Sequence, residues 1–116
     1  MKNIRFTLLM LFAGAIMISC SKDDNGDNDQ NNPGPKFAAV KTIVNSNCAV
    51  SGCHVSPTNA GGHNFQSDAN IVANGAHIKE VAVDLGIMPP PPNPQLSAAD
   101  KAKITDWINA GGRLTD

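Results

Sequence analysis

Tyrosine is absent from this 116-residue chain, and its other aromatic residues are few: four phenylalanines and one tryptophan. Neither sign of charge dominates, because the formal net charge is −1, so there is no electrostatic case for binding nucleic acid. The main apolar run, residues 6–18, is shorter than the ~20 residues that cross a bilayer as a helix. The length allows one small domain with a tail. A domain so poor in large side chains usually needs a disulfide, metal or cofactor to hold it together.

The first nineteen residues have the features of a secretory signal. Lys2 and Arg5 precede the apolar run, which ends at Ser19 and Cys20, and a basic start with a short apolar core and a small residue at the cut is typical of such signals. Residues 17–20, Met-Ile-Ser-Cys, resemble a bacterial lipobox. That resemblance implies a signal peptide over 1–19, cleavage before Cys20 and lipidation of Cys20. The alternative is an unlipidated signal with an incidental cysteine.

Residues 20–35 are rich in Asp, Asn, Gly and Pro and have no apolar side chain to begin a core, so we expect a disordered tether. Its acidic cluster resembles the surface-export signal of Bacteroidetes lipoproteins, although a plain solvated spacer has the same composition. Ser21 rather than an aspartate follows Cys20, and lipoprotein sorting by analogy then implies the outer membrane. We therefore expect an outer-membrane lipoprotein whose domain, residues 36–116, faces the periplasm or the cell surface.

Residues 48–54 read Cys-Ala-Val-Ser-Gly-Cys-His, and their end matches the haem-attachment signature C-x-x-C-H. Two thiols can form thioethers with one porphyrin, and the adjacent imidazole of His54 can ligate its iron. Four residues rather than two separate Cys48 from Cys53, and on a straight helix such positions diverge by about 140°. The segment therefore cannot be a plain helical turn, and Gly52 can supply the kink. A Cys48–Cys53 disulfide, or a metal or free-thiol site, remains an alternative.

Apolar spacing predicts four helical stretches around this segment. The first covers 36–45, the second 69–73 after the cap Ser67-Asp68, the third 76–85 before Gly86, and the last runs from the cap Ser97 to Gly111-Gly112. The apolar faces of the first, third and last stretches are, in order, Phe37, Val40, Ile43 and Val44; Ile78, Val81, Ala82 and Leu85; and Ile104, Trp107 and Ile108. We expect Phe65 and Trp107 in the core and His63 on the surface. A backbone carbonyl of the loop 55–62 is expected to orient the His54 ring.

Met88 stands directly before a run of four prolines. Proline rings fix an extended, stiff backbone. Met-Pro-Pro at this point resembles the distal-ligand loop of small monohaem cytochromes c, which implies Met88 as the sixth iron ligand. A core methionine is the alternative reading. His77 is the rival sixth ligand, and His63 is a weaker one.

Taken in order, residues 36–112 resemble the small monohaem class I c-type cytochrome domains of Bacteroidetes and planctomycete lipoproteins. The resemblance implies an all-α fold of three to five short helices around one haem c. Cys48 and Cys53 would form its thioethers, and His54 and Met88 its axial ligands. The wide cysteine spacing leaves open whether one thiol stays free.

The implied function is one-electron transfer by a monomer that meets a redox partner protein, with no enzymatic activity and a membrane contact through the lipid anchor. The second hypothesis is a disulfide-stapled lipoprotein without haem that acts as a binding or accessory module. A third is a haem sensor in which a gas ligand displaces Met88.

Overall fold

The computed structural model describes residues 32–116, and within that range every regular element is helical. These are α1 (Pro35–Asn47), α2 (Asp68–Ala73), α3 (Gly75–Lys79) and α4 (Ala98–Asn109), with a 3-10 turn at Ala60–Gly62 and a π-helical turn at Glu80–Asp84. The expectation of an all-α domain is confirmed. The expected signal peptide, Cys20 and residues 21–31 of the tether lie outside the described residues.

The helix α1 begins at Pro35, whose fixed φ suits the first helical position, and buries all four predicted apolar residues. Its first backbone N–H groups have no side-chain partner at the N-cap, Gly34. Instead the Asp116 carboxylate accepts hydrogen bonds from the N–H groups of Lys36 (2.9 Å) and Phe37 (3.2 Å). The Gly34 N–H also donates to the Leu114 carbonyl at 2.8 Å. The last residues of the chain therefore close the start of α1.

The core is centred on the packing of α1 against α4. Trp107 of α4 is fully buried, its ring centroid lies 5.8 Å from that of Phe37, and its indole N–H donates to the Arg113 carbonyl at 2.7 Å. Gly75 opens α3 against this indole: a Cβ there would lie 2.7 Å from the Trp107 ring. The prediction that Trp107 packs in the core is confirmed, and α3 is held against α4 by a glycine that no larger residue could replace without movement.

Both predicted serine caps are present. Ser67 accepts a hydrogen bond from the Asn70 N–H at the start of α2, and Ser97 accepts one from the Asp100 N–H at the start of α4. At the other end of α4, Gly111 and Gly112 have positive φ values of 112° and 61°. Left-handed glycines of this kind end helices, so the predicted boundaries of α4 hold.

The third predicted helix differs from the expectation of one α-helix over residues 76–85. α3 ends at Lys79, and the Leu85 N–H bonds to the Glu80 carbonyl, five residues earlier, at 2.8 Å. The extra residue in this π-helical turn shifts the side chains that follow it around the axis. Ile78 and Ala82 are buried as predicted, but Leu85 is 59% exposed, so its placement in the core was wrong.

Across residues 32–116, no helix is both long enough and apolar enough to cross a membrane.

Candidate functional site: an apolar cavity lined by cysteine, histidine and methionine

Residues 48–54 form a looped turn rather than a helix, as the cysteine spacing predicted. At the end of α1, the Cys48 N–H donates a hydrogen bond to the Val44 carbonyl at 2.8 Å. Gly52 adopts a φ of 83°, in the region that favours glycine. The His54 N–H then returns to the Cys48 carbonyl at 3.1 Å. The chain thus folds back on itself, so that His54 follows the buried end of α1 instead of leaving the core.

Two cavities meet at this turn. The first, of about 190 Å³, has an almost wholly apolar lining, and the second, of about 160 Å³, runs along the proline segment. Cys48, His54 and Met88 line both cavities. The three sequence-predicted residues are therefore brought to one shared hollow.

The two cysteines are not equivalent in this arrangement. Both thiols are free, but Cys48 is 9% exposed and lines both cavities, whereas Cys53 is half-buried and lines the second alone. Burial, with a smaller contribution from the nearby Cys53, raises the pKa of the Cys48 thiol from 9.0 to about 11. Cys48 is thus a protonated, apolar part of the wall at neutral pH.

The imidazole of His54 is oriented by its surroundings. Its Nδ1 lies 3.4 Å from the His63 carbonyl oxygen, and because a carbonyl oxygen can only accept, Nδ1 must carry the proton in this long hydrogen bond. Phe65, buried as predicted, packs against the ring with centroids 4.7 Å apart. This leaves Nε2 with the free lone pair, which is the arrangement that metal-binding histidines use. The orienting carbonyl is one residue beyond the predicted loop.

Met88 is placed by backbone contacts on both sides. Its N–H and that of Ile87 share the Val81 carbonyl, at 3.1 and 2.9 Å. The proline segment after it is held by hydrogen bonds from the Gln95 amide to the Pro89 carbonyl and from the Asn93 N–H to the Pro90 carbonyl. The segment therefore presents Met88, half-buried, to both cavities.

His77 also lines the first cavity, so the rival to Met88 lies at the same wall. Its side chain is 44% exposed, and its Nδ1 lies 3.5 Å from a Glu80 carboxylate oxygen. Its ring stacks on that of His63, with centroids 4.7 Å apart. Exposure and the Glu80 contact favour a position at the rim.

His63 was expected on the surface, and that expectation was wrong: it is half-buried and lines the first cavity. Its Nδ1 lies 2.9 Å from the Asn74 amide oxygen, and the Asn74 NH₂ group donates to the Asn70 carbonyl at 2.8 Å. The second bond fixes which way the amide points, so His63 donates from Nδ1. Asn74 supplies this contact, and no local pattern in the sequence signals it.

Other residues of the wall could not be selected from the sequence. Ala60 and Gly61 of the 3-10 turn line the first cavity together with Val81 and Ala82. Small residues in a loop carry no periodic signal, and only the folded path of residues 55–63 brings them to the site. Among residues 32–116, no three His, Cys, Asp or Glu side chains converge as a site for a single metal ion.

The chain has no match among family models, curated proteins or solved structures.

Proposed function

We propose that residues 36–116 form a small c-type cytochrome domain that carries one electron at a time on a covalently bound haem c. The observation that supports this most is the shared lining of the two cavities by Cys48, His54 and Met88. A thiol, an imidazole and a thioether are the groups that such a domain needs, and here they meet in an apolar hollow of a chain that is otherwise short of large apolar side chains.

The residues fit the proposed group in four respects. The Cys48 and Cys53 thiols are both free to form thioethers. The hydrogen bond of His54 to the His63 carbonyl leaves Nε2 for the iron. The sulfur of Met88 is neutral and soft, and its backbone is held by Val81. The first cavity has almost no polar lining, which suits a flat apolar ring.

The bound haem would supply the reversible change between ferric and ferrous iron, and a methionine ligand raises the potential of such a centre. The chain's own part would be to hold the ring through Cys48 and Cys53, to exclude water, and to ligate the iron through His54 and Met88. With both ligands bound, the iron would have no open position for a substrate, so we propose electron transfer and no enzymatic reaction. The lipid on Cys20 and the tether would keep the domain near a redox partner at the outer membrane.

The first test is the absorption spectrum of the protein matured in cells with c-type haem assembly. We expect Soret and α bands that survive extraction with acidic acetone, because thioether bonds hold the haem. The Cys48→Ser/Cys53→Ser double variant is the matched control and should lose the colour on extraction. A colourless protein with a Cys48–Cys53 disulfide would overturn the proposal in favour of a stapled accessory module.

The second test addresses the sixth ligand. Met88→Ala should abolish the near-infrared ferric band of sulfur-to-iron charge transfer, while His77→Ala should leave it unchanged. If His77→Ala removed the low-spin spectrum and Met88→Ala did not, the ligand assignment would pass to His77. Rapid binding of carbon monoxide by the reduced wild-type protein would instead indicate a gas sensor.

A further inference from the structure

Two exposed apolar side chains stand just before Met88 of the proposed haem site in the sequence. Leu85 is 59% and Ile87 53% exposed, and they are the large apolar side chains that remain exposed among residues 32–116. Gly86 between them has a φ of 61°, and Met88, which lines both cavities, follows at once. We name residues 85–87 the apolar knuckle.

The knuckle is produced by the π-helical turn. Continued α-helical spacing from Ile78 and Ala82 would have brought Leu85 into the core, and the turn's added residue moves it out instead. The Ile87 N–H is bonded to the Val81 carbonyl at 2.9 Å, so the backbone that carries the exposed side chains is fixed to the cavity wall. Core packing therefore does not account for the position of these two side chains, and apolar side chains held in fixed exposed positions can serve in contacts with another protein.

The surroundings of the knuckle carry little charge. Residues 85–97 contain no ionisable side chain. Before them, Asp84 is paired with Lys79 at 2.8 Å, and Lys101 lies close to Gly86, where its Nζ would be 3.6 Å from an added Cβ. Over residues 36–116 as a whole, six basic side chains balance six acidic ones. A partner guided by strong charge would find no complementary field here.

The size of the patch restricts what can cover it. A stable dimer buries roughly 1,200–2,000 Å² with about 20–30 residues a side, far more than two half-exposed aliphatic side chains offer. Weak electron-transfer encounters fall below that range. A transient protein contact fits this area, and a permanent one does not.

We infer that the apolar knuckle is the surface through which the domain exchanges electrons, and that its occupant is a redox partner protein with an uncharged, apolar docking face. The inference rests on the proposed function. It adds where the partner docks and the chemistry of the partner's face, and it places electron exit on the Met88 side of the site.

Electron self-exchange between ferric and ferrous copies tests this, because a second copy of the chain presents such an uncharged apolar face. The rate is measured from NMR line widths in mixed samples at low and high salt. The wild-type rate should depend weakly on salt. Leu85→Gln should lower it at all salt concentrations, whereas Leu85→Glu should lower it by about tenfold or more at low salt and partly recover at high salt.

Ala38→Glu, an exposed position on α1 that lines neither cavity, is the matched control and should keep the wild-type rate. The near-infrared band and the unfolding midpoint of each variant show that the haem site and the fold are intact.

Each outcome decides one point. If the haem-loaded Leu85→Glu variant keeps the wild-type self-exchange rate, the inference that the partner docks at the knuckle is wrong, and the proposed function still stands. A stable dimer in sedimentation that Leu85→Glu dissociates also overturns it, because the patch is then a subunit interface. A colourless protein overturns both proposals.

Discussion

Cys48 is the residue whose chemistry would change most if the domain binds haem as proposed. As a free thiol it is buried, with its pKa raised to about 11. As a thioether it would carry no proton to lose. The same side chain is therefore a titrating group in the haem-free protein and a silent one in the loaded protein.

This difference predicts a pH dependence of stability. In the unfolded chain the thiol loses its proton near pH 9, while the native state holds it to about pH 11, so the unfolded state binds fewer protons between these values. The free energy of unfolding of haem-free protein should therefore fall by about 2–3 kcal/mol as the pH rises through this range. Urea unfolding at pH 8 and pH 11 measures it.

Cys48→Ala provides the comparison, since its free energy of unfolding should fall less over the same range. Haem-loaded protein should behave like this variant. A loaded protein with the full wild-type fall would show that Cys48 is still a thiol, and would limit haem attachment to Cys53.

Gly75 is the second residue with a sharp expectation. A methyl group at this position would meet the Trp107 ring at 2.7 and 2.9 Å and Ile108 at 3.1 Å. Gly75→Ala should lower the free energy of unfolding by about 1–3 kcal/mol, the usual cost of overpacking a core. Denaturant unfolding checks it, with the exposed neighbour Ala76→Ser as control. Equal stability of the two variants would mean that α3 can move away from α4 freely.

At the scale of elements, α4 depends on its cap. The Ser97 hydroxyl accepts from the Asp100 N–H at 3.1 Å and donates to the Asp100 carboxylate at 2.9 Å, and this contact together with Lys103 lowers the pKa of Asp100. Ser97→Ala should cost about 1 kcal/mol, measured as a lower thermal midpoint. Ser97→Asp, which can also cap, should retain most of the stability, and a full loss with Asp would contradict a capping role.

The helices were predictable to different degrees for physical reasons. α1, α2 and α4 have local signals, namely apolar spacing and a proline or serine at the start, and each was predicted within about two residues. The π-helical turn has no such signal. The turn is seen only in the folded backbone, where the Leu85 N–H bonds to the Glu80 carbonyl, so Leu85 was misplaced while Ile78 and Ala82 were not.

The site divides in the same way. Cys48, Cys53, His54 and Met88 stand in a recognisable order with distinctive chemistry, so the sequence alone could select them as candidates. The hydrogen bond between His63 and Asn74 could not be foreseen, because the two residues are eleven positions apart in the sequence and only the folded loop and helix between them bring them together. Whether the four candidates bind iron stays a prediction for the spectra to decide.

At the scale of the molecule, the proposed anchor on Cys20 would decide where the proposed electron carrier works. Cys20→Ser should move the protein from the membrane fraction to the soluble fraction, because one serine cannot carry the lipid that the lipobox resemblance implies. Fractionation followed by mass spectrometry of the mature amino terminus measures this. Cys53→Ser, which leaves Cys20 in place, should stay with the membrane, and an unchanged distribution of Cys20→Ser would exclude lipidation as the anchor.

The contact of Gly34 with Leu114, and of Asp116 with the start of α1, has a practical consequence for engineering. The two ends of the helical unit, residues 34–116, are joined by a direct hydrogen bond, so they lie close together at the surface. Such a unit can be spliced into a surface loop of a host protein without stretching either partner. An electrode-binding or fluorescent host could in this way receive the proposed redox centre by insertion rather than by end-to-end fusion.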